Sequence, residues 1–238
     1  LIATPNPSTI LRLKDIIDTN LENLLQDIES GTLSGIEEID PEKKQKIRSK
    51  FKPNQLRASQ LRELKKKKGS LIISDIWPKL RLITTWTSGN CSTLLPSLKA
   101  QLSRNLFIGE VGYMSSEFRG TVNLDIKNEI QVPTINENFF EFVERDEWGS
   151  EEPFFLMLHE IELNKDYYIF VTTQNGLYRY FINDIIRVTG KYHSTPTIKF
   201  IQKGDGVISL TGEKLYEDQV NIAVLKVIKK YSLKIKFY

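Results

Sequence analysis

Residues 109–120, Gly109-Glu110-Val111-Gly112-Tyr113-Met114-Ser115-Ser116-Glu117-Phe118-Arg119-Gly120, gather several chemistry-bearing side chains into one short stretch. Three glycines frame them, and without a Cβ the backbone can come close to a ligand. Tyr113 offers a flat face to a base, Ser115 and Ser116 offer donors to phosphate oxygens, and Glu117 offers a hard oxygen ligand to a divalent cation. The combination fits a nucleotide. The same string also fits an ordinary turn between strands, and read alone it does not separate the two.

A second stretch, residues 175–190, runs Asn175-Gly176-Leu177-Tyr178-Arg179-Tyr180-Phe181-Ile182-Asn183-Asp184-Ile185-Ile186-Arg187-Val188-Thr189-Gly190. Taken together, the two stretches resemble the auxin-responsive promoter family of acyl-acid amido synthetases, within the adenylate-forming, luciferase-like superfamily. Residues 113–117 match its tyrosine-x-serine-serine-glutamate motif, and residues 177–184 match its tyrosine-arginine motif ending in an aspartate. Asn6-Pro7-Ser8-Thr9 and Gly212-Glu213-Lys214-Leu215 extend the resemblance over nearly the whole chain, in order.

The resemblance implies an ATP- and Mg2+-dependent ligase that adenylates a small carboxylic acid and passes the acyl group to an amino acid. It implies Tyr113 against adenine, Ser116 with Ser115 on the α-phosphate, Glu117 on magnesium and Asp184 on the ribose hydroxyls, with Glu117 and Ser116 as the catalytic pair. Tyr178 and Arg179 accompany Asp184, and the alternative for them is a packed tyrosine and an ion-paired arginine. Lys203 or Asp205 marks the hinge of a lid. Residues 87–93 fall on the acid side of the cleft, with Thr87 and Ser88 lining it and Trp86 and Leu94 as apolar wall; ordinary core and turn is the alternative there. Asn183 departs from the family, which usually has glycine before the aspartate, although asparagine tolerates left-handed backbone better than most residues.

These residues need elements to position them. The helix start at Asn6-Pro7-Ser8 opens an apolar stripe, Ile10, Leu13, Ile17, Leu21, Leu24 and Ile28, that Gly31 can stop. Residues 41–51 and 53–68 read as two further lysine-rich helices, each beginning at a proline suited to a first turn. From residue 80 onward strands dominate. Residues 80–86 form a strand, residues 92–103 a helix, and residues 105–111 a strand that enters the 109–120 loop. Strands follow at 121–124, 138–145, 167–173, 185–189 and 197–202, with Asn175-Gly176 as a hairpin turn into 177–181. Residues 203–206 read as a linker, and 216–230 as a helix.

The expected fold is α/β. Residues 1–203 form part of the large adenylate-forming domain, a mixed sheet with helices and a β-rich subdomain, and residues 204–238 begin a small C-terminal lid. The family's phosphate loop is expected upstream of Leu1 and the lid lysine beyond Tyr238, so the chain reads as an internal piece with little activity by itself. A non-catalytic remnant or AMP-binding module, and a thioester-forming ligase, are the other readings.

Composition narrows the remaining classes. A net charge of +3 from 33 basic and 30 acidic side chains in 238 residues leaves no global field favouring nucleic acid or a membrane surface. The run of lysines at 65–68 reads as a solvated helix end rather than a nucleic-acid patch, since no aromatics are interleaved with it. No apolar run nears the ~20 residues of a membrane span, and the amino end lacks a secretory pattern, so a cytoplasmic location is expected. One cysteine and two histidines argue against a Cys/His zinc site. Oligomeric state is left open.

Overall fold

The computed structural model describes residues 1–34, 40–204, 207–210 and 213–231. The chain divides into two compact units, one comprising residues 8–81 and 97–106, the other residues 1–7, 82–96 and the chain from 107 onward.

The first unit is helical. The single helix expected from residue 7 to Gly31 is two, α1 (Pro7–Thr19) and α2 (Leu21–Ser30). They part at Asn20, whose Nδ2 donates to the Ile16 carbonyl at 2.8 Å alongside its own backbone N–H at 3.1 Å. A short amide side chain competing for helix carbonyls in this way favours termini over interiors. Gly31 does close α2 in the left-handed region, at φ 70, and a Cβ there would lie 2.6 Å from Pro53. Helix α3 (Pro41–Arg48) begins at its proline as expected, whereas α4 (Gln55–Lys68) begins two residues after Pro53; the side chains of Asp40 and Asn54 cap them. Leu21, Leu25, Leu61 and Leu71 form the core between α2 and α4. The lysines at 65–68 end α4; Lys65 meets Glu22 at 3.1 Å and Lys68 meets Asp75 at 2.6 Å, as befits a solvated helix end. Two short helices, α5 (Ile73–Ile76) and α6 (Leu95–Ala100), complete the set, with no sequence expectation for α5. Among the described residues no helix is long and apolar enough to cross a membrane.

The second unit carries the sheets. Strands β1 (Ile2–Ala3), β2 (Leu82–Thr85) and β3 (Phe107–Glu110) form a parallel sheet whose register sets Glu110 opposite Thr85. After the 109–120 loop come the hairpin strands β4 (Thr121–Asp125) and β5 (Ile130–Pro133). An antiparallel five-stranded sheet follows: β6 (Asn138–Glu144), β7 (Leu156–Met157), β8 (Asp166–Thr173), β9 (Tyr180–Tyr192) and β10 (Thr195–Lys203), in the order β10-β9-β8-β6-β7. The segments expected as separate strands at 177–181 and 185–189 are largely the one long strand β9.

Residues 166–171 of β8 are all buried, because both faces of this sheet are covered. One face holds Phe140, Phe142, Tyr167 and Ile169 together with Tyr113; the other holds Val143, Tyr168, Phe170 and Ile185 together with Tyr216. Strands β11 (Val207–Leu210) and β12 (Glu213–Tyr216) pair antiparallel and lead into α7 (Glu217–Tyr231). Described residues beyond 204 make contacts with the sheet and with the 89–94 segment. Tyr216 is buried under the Arg145 guanidinium, the Asp218 N–H donates to Gln202 Oε1 at 2.8 Å, and Asn221 Nδ2 donates to Asn90 Oδ1 at 3.0 Å. Asp205, the Asp205-Gly206 part of the expected linker, and Thr211 and Gly212 lie outside the described residues.

Candidate functional site

The loop after β3 is a tight hairpin built by its own polar groups. Met114 and Arg119 bridge across it, the Ser115 N–H donates to Phe118 O at 3.0 Å, and the N–H groups of Gly120 and Thr121 both reach Tyr113 O. Ser115 Oγ accepts from the N–H groups of Glu117 and Phe118 at 3.2 and 3.3 Å. Ser115 therefore shapes the turn, while Ser116 stands exposed at its tip. Gly120 is required by contact: a Cβ there would lie 2.3 Å from Cδ1 of the Tyr113 ring.

Tyr113 is 4% exposed, its ring parallel to Phe200 at 5.8 Å between centroids and edge-on to Phe118 at 5.6 Å. In this conformation little of the ring is open as a platform. Its hydroxyl instead donates to Asp184 Oδ2 at 2.7 Å. Burial foremost, and then the Asp184 charge, push the phenol well above its ordinary range, so it remains a donor.

Asp184 is 2% exposed, and Lys203 Nζ lies 2.6 Å from its Oδ1. That contact is an ion pair rather than an aligned hydrogen bond; the ammonium donates to the Ile182 carbonyl at 3.2 Å. Burial raises the carboxyl, with Lys203 and Tyr113 working against the rise. The backbone explains the meeting. Asn183 takes the left-handed conformation, at φ 59, that the family's glycine would adopt readily. A register shift between Phe200 and Gln202 then sets Lys203 directly opposite Asp184. Gly204 completes the turn, its N–H donating to Asn183 O at 2.7 Å, where a Cβ would strike the Asn183 side chain at 2.1 Å.

These groups wall a cavity of about 650 Å3 that lies wholly within the sheet-bearing unit. Tyr113, Ser115, Ser116, Glu117, Asp184 and Lys203 all line it, and so do Trp86 and Ser88. Glu117 receives the Tyr180 hydroxyl at 3.4 Å, and the Ser115 hydroxyl first, with Tyr180 and Lys203 in support, holds its carboxyl below the usual value. It is ionised at neutral pH. Among the described residues no group of three or more His, Cys, Asp or Glu side chains could hold a metal.

Four of the expected residues fall elsewhere. Thr87 and Leu94 are not part of the cavity wall. Thr87 is 8% exposed, and both its N–H, at 2.6 Å, and its hydroxyl are taken by Glu110 Oε2, which also draws Ser88 Oγ at 3.4 Å. Tyr178 is 84% exposed and away from the cavity. Arg179 pairs with Glu141 at 2.9 Å and lies 4.0 Å over the Phe155 ring, which is the ion-paired alternative. Sequence reading passed over Glu110, Gln131, Tyr180 and Phe200. Glu110 lies in the 109–120 stretch and Tyr180 in the 177–184 motif, whereas Gln131 and Phe200 carry no local signal. The thiol of Cys91 also lines the cavity, and burial, then Glu110, raise it so that it stays protonated.

Models of the GH3 family N-terminal domain and the GH3 family central domain match residues 1–106 and 131–203. The chain belongs to the GH3 family. The resemblance carried by the Tyr113 and Asp184 motifs is thereby borne out. Indole-3-acetic acid-amido synthetase GH3.3 of Arabidopsis thaliana is 31% identical over 225 residues, covering 91% of this chain and 37% of the relative. The 4-substituted benzoates-glutamate ligase GH3.12 of Arabidopsis thaliana is 31% identical over 157 residues, covering 64% and 27%. The solved structure of AtGH3.15 acyl acid amido synthetase in complex with 2,4-DB superposes with a TM-score of 0.80 at 27% identity, over 96% of this chain and 40% of that one. The expected mixed α/β, adenylate-forming architecture is the one observed. The GH3 chain described here spans less than half the length of these relatives.

Proposed function

We propose that this chain supplies the acid- and nucleotide-binding cavity of an ATP-dependent acyl-acid amido synthetase. In that reaction a carboxylate oxygen of a small acid attacks the α-phosphorus of ATP and pyrophosphate leaves. An amino acid nitrogen then attacks the acyl carbon, losing a proton, and AMP leaves. The observation that carries the reading is the convergence on one cavity of Ser116, Glu117 and Asp184, from two stretches some sixty residues apart in a chain of 238, joined there by Lys203 from the end of β10. Relatives named as amido synthetases and as a benzoate-glutamate ligase support it.

Each residue has a task its surroundings suit. A carboxylate oxygen has two lone pairs, so Asp184 can accept a ribose hydroxyl at each oxygen beside Tyr113 and Lys203. Lys203, 55% exposed, adds positive charge where an anionic ligand arrives. Exposed Ser116 is free to donate to phosphate. Tyr113 would present its ring to adenine after Phe200 shifts aside. Glu117, ionised, fits magnesium, which takes one or two carboxylates and completes its shell with water and phosphate. Bound there, the ion would neutralise phosphate charge during the displacement. The lone thiol Cys91 suits a reducing, cytoplasmic setting.

The test is acid-dependent exchange of labelled pyrophosphate into ATP, run with a panel of carboxylic acids on protein spanning this sequence. Exchange that Glu117→Ala abolishes supports the reading. Failure of exchange with every acid refutes it, and AMP binding retained in that case would leave a nucleotide-binding module.

A further inference from the structure

Gln131, on β5, belongs to the cavity wall and is 2% exposed, yet its Nε2 has no hydrogen-bond partner among the described residues. The orientation of the amide follows from its neighbours. Thr121 Oγ1 accepts the Tyr113 N–H at 2.8 Å, which leaves the hydroxyl proton for Gln131 Oε1 at 3.3 Å. Turning the amide over would set an NH2 group against that hydroxyl and take away its acceptor. The donor face of Gln131 is thus the one left unpaired. A buried unpaired NH2 is costly, and it regains a bond only from what enters the cavity.

Resting on the reading of this cavity as an acid-binding site, we infer that Gln131 is a specificity residue. Its Nε2 donates to an oxygen or nitrogen acceptor on the acyl portion of the acid, beyond the carboxylate. The phosphates and ribose of a nucleotide are matched by Ser116, Glu117, Asp184 and Lys203, on the hairpin loop and on the β9–β10 bulge. Gln131 lies on neither, and a neutral buried amide suits one neutral acceptor on an otherwise apolar ligand. Sites built this way discriminate by leaving their own polar group unpaired when the acceptor is missing. Acids with a keto, ether or ring-nitrogen acceptor are therefore the expected substrate class, and purely hydrocarbon acids the rejected one.

Calorimetric titration of this chain with size-matched aromatic acids, acetyl-bearing against isopropyl-bearing, tests the assignment, with AMP and Mg2+ as the control ligand. Wild type should prefer the acetyl acids by at least roughly tenfold, the worth of one well-made bond to a buried donor. Gln131→Met, similar in length but without the donor, should lose that preference while AMP affinity stays within about twofold. Gln131→Glu, which keeps the oxygen facing Thr121 and sets a second oxygen in place of the NH2, should weaken acetyl acids further. An equal preference in wild type and Gln131→Met overturns the assignment alone, as does a loss of AMP affinity with acid binding unchanged. Failure of wild type to bind any acid overturns the acid-site reading as well.

Discussion

Lys203→Met probes the ion pair that ties the end of β10 to Asp184 of the second motif stretch. Lys203 Nζ and Asp184 Oδ1 are 2.6 Å apart, with the aspartate side chain 4% exposed and the lysine 55%. Two unit charges at that distance attract by roughly 6 kcal/mol at an effective dielectric of ~20, and by about 1.6 kcal/mol in bulk water. Removing one member of a fully buried pair costs about 3–5 kcal/mol, whereas exposed pairs contribute about 0–1 kcal/mol. A pair half open to solvent falls between, at about 2 kcal/mol, or about 4–8 °C in Tm for a chain of this size.

The loss should depend on pH. The carboxyl of Asp184 is raised above its unfolded value by burial, against the pull of Lys203 and Tyr113. Between those two values the folded state binds the extra proton, so this group's contribution to stability falls as pH rises through them. Deleting Lys203 removes one opposing cause and raises the folded value further. The full penalty therefore appears at pH 7.5 and shrinks as the pH is lowered toward 4 and Asp184 takes up its proton. Urea unfolding of wild type, Lys203→Met and Lys203→Met/Asp184→Asn at both pH values measures it. The double variant should recover most of the loss, because asparagine still accepts from Tyr113. A pH-independent penalty, or no recovery in the double variant, would refute the ion pair as the cause.

Gly120→Ala should cost about 1–3 kcal/mol, since the new methyl would press on the Tyr113 ring and force it off its contacts. Thermal unfolding reads that loss, and AMP affinity should fall with it as the Tyr113–Asp184 bond is displaced. Tyr178→Ala should leave stability within about 0.5 kcal/mol and AMP affinity unchanged, because the side chain is largely in solvent. A large loss of AMP binding in that variant would show that Tyr178 reaches the nucleotide after all.

Much of this protein was legible along the chain because its signals are local. Periodicity, caps and the Asn175-Gly176 turn mark most helices and strands, and the left-handed backbone that Asn183 takes was foreseeable from its residue type. The motifs at 113–117 and 177–184 pointed to the family and to the Tyr113–Glu117 and Asp184 part of the cavity wall. Local signals fail where partners are distant. Thr87 and Ser88 look alike in sequence, yet only the parallel register of β2 and β3 brings Glu110 across to occupy the first. Tyr178 and Arg179 share a motif with Asp184, yet both lie apart from the cavity that Asp184 lines. The Phe200–Gln202 bulge that sets Lys203 on Asp184, and the Thr121 hydroxyl that aims Gln131, are products of strand pairing. Residue type determined what each group can do; which groups meet was decided by register and burial, which no single stretch encodes.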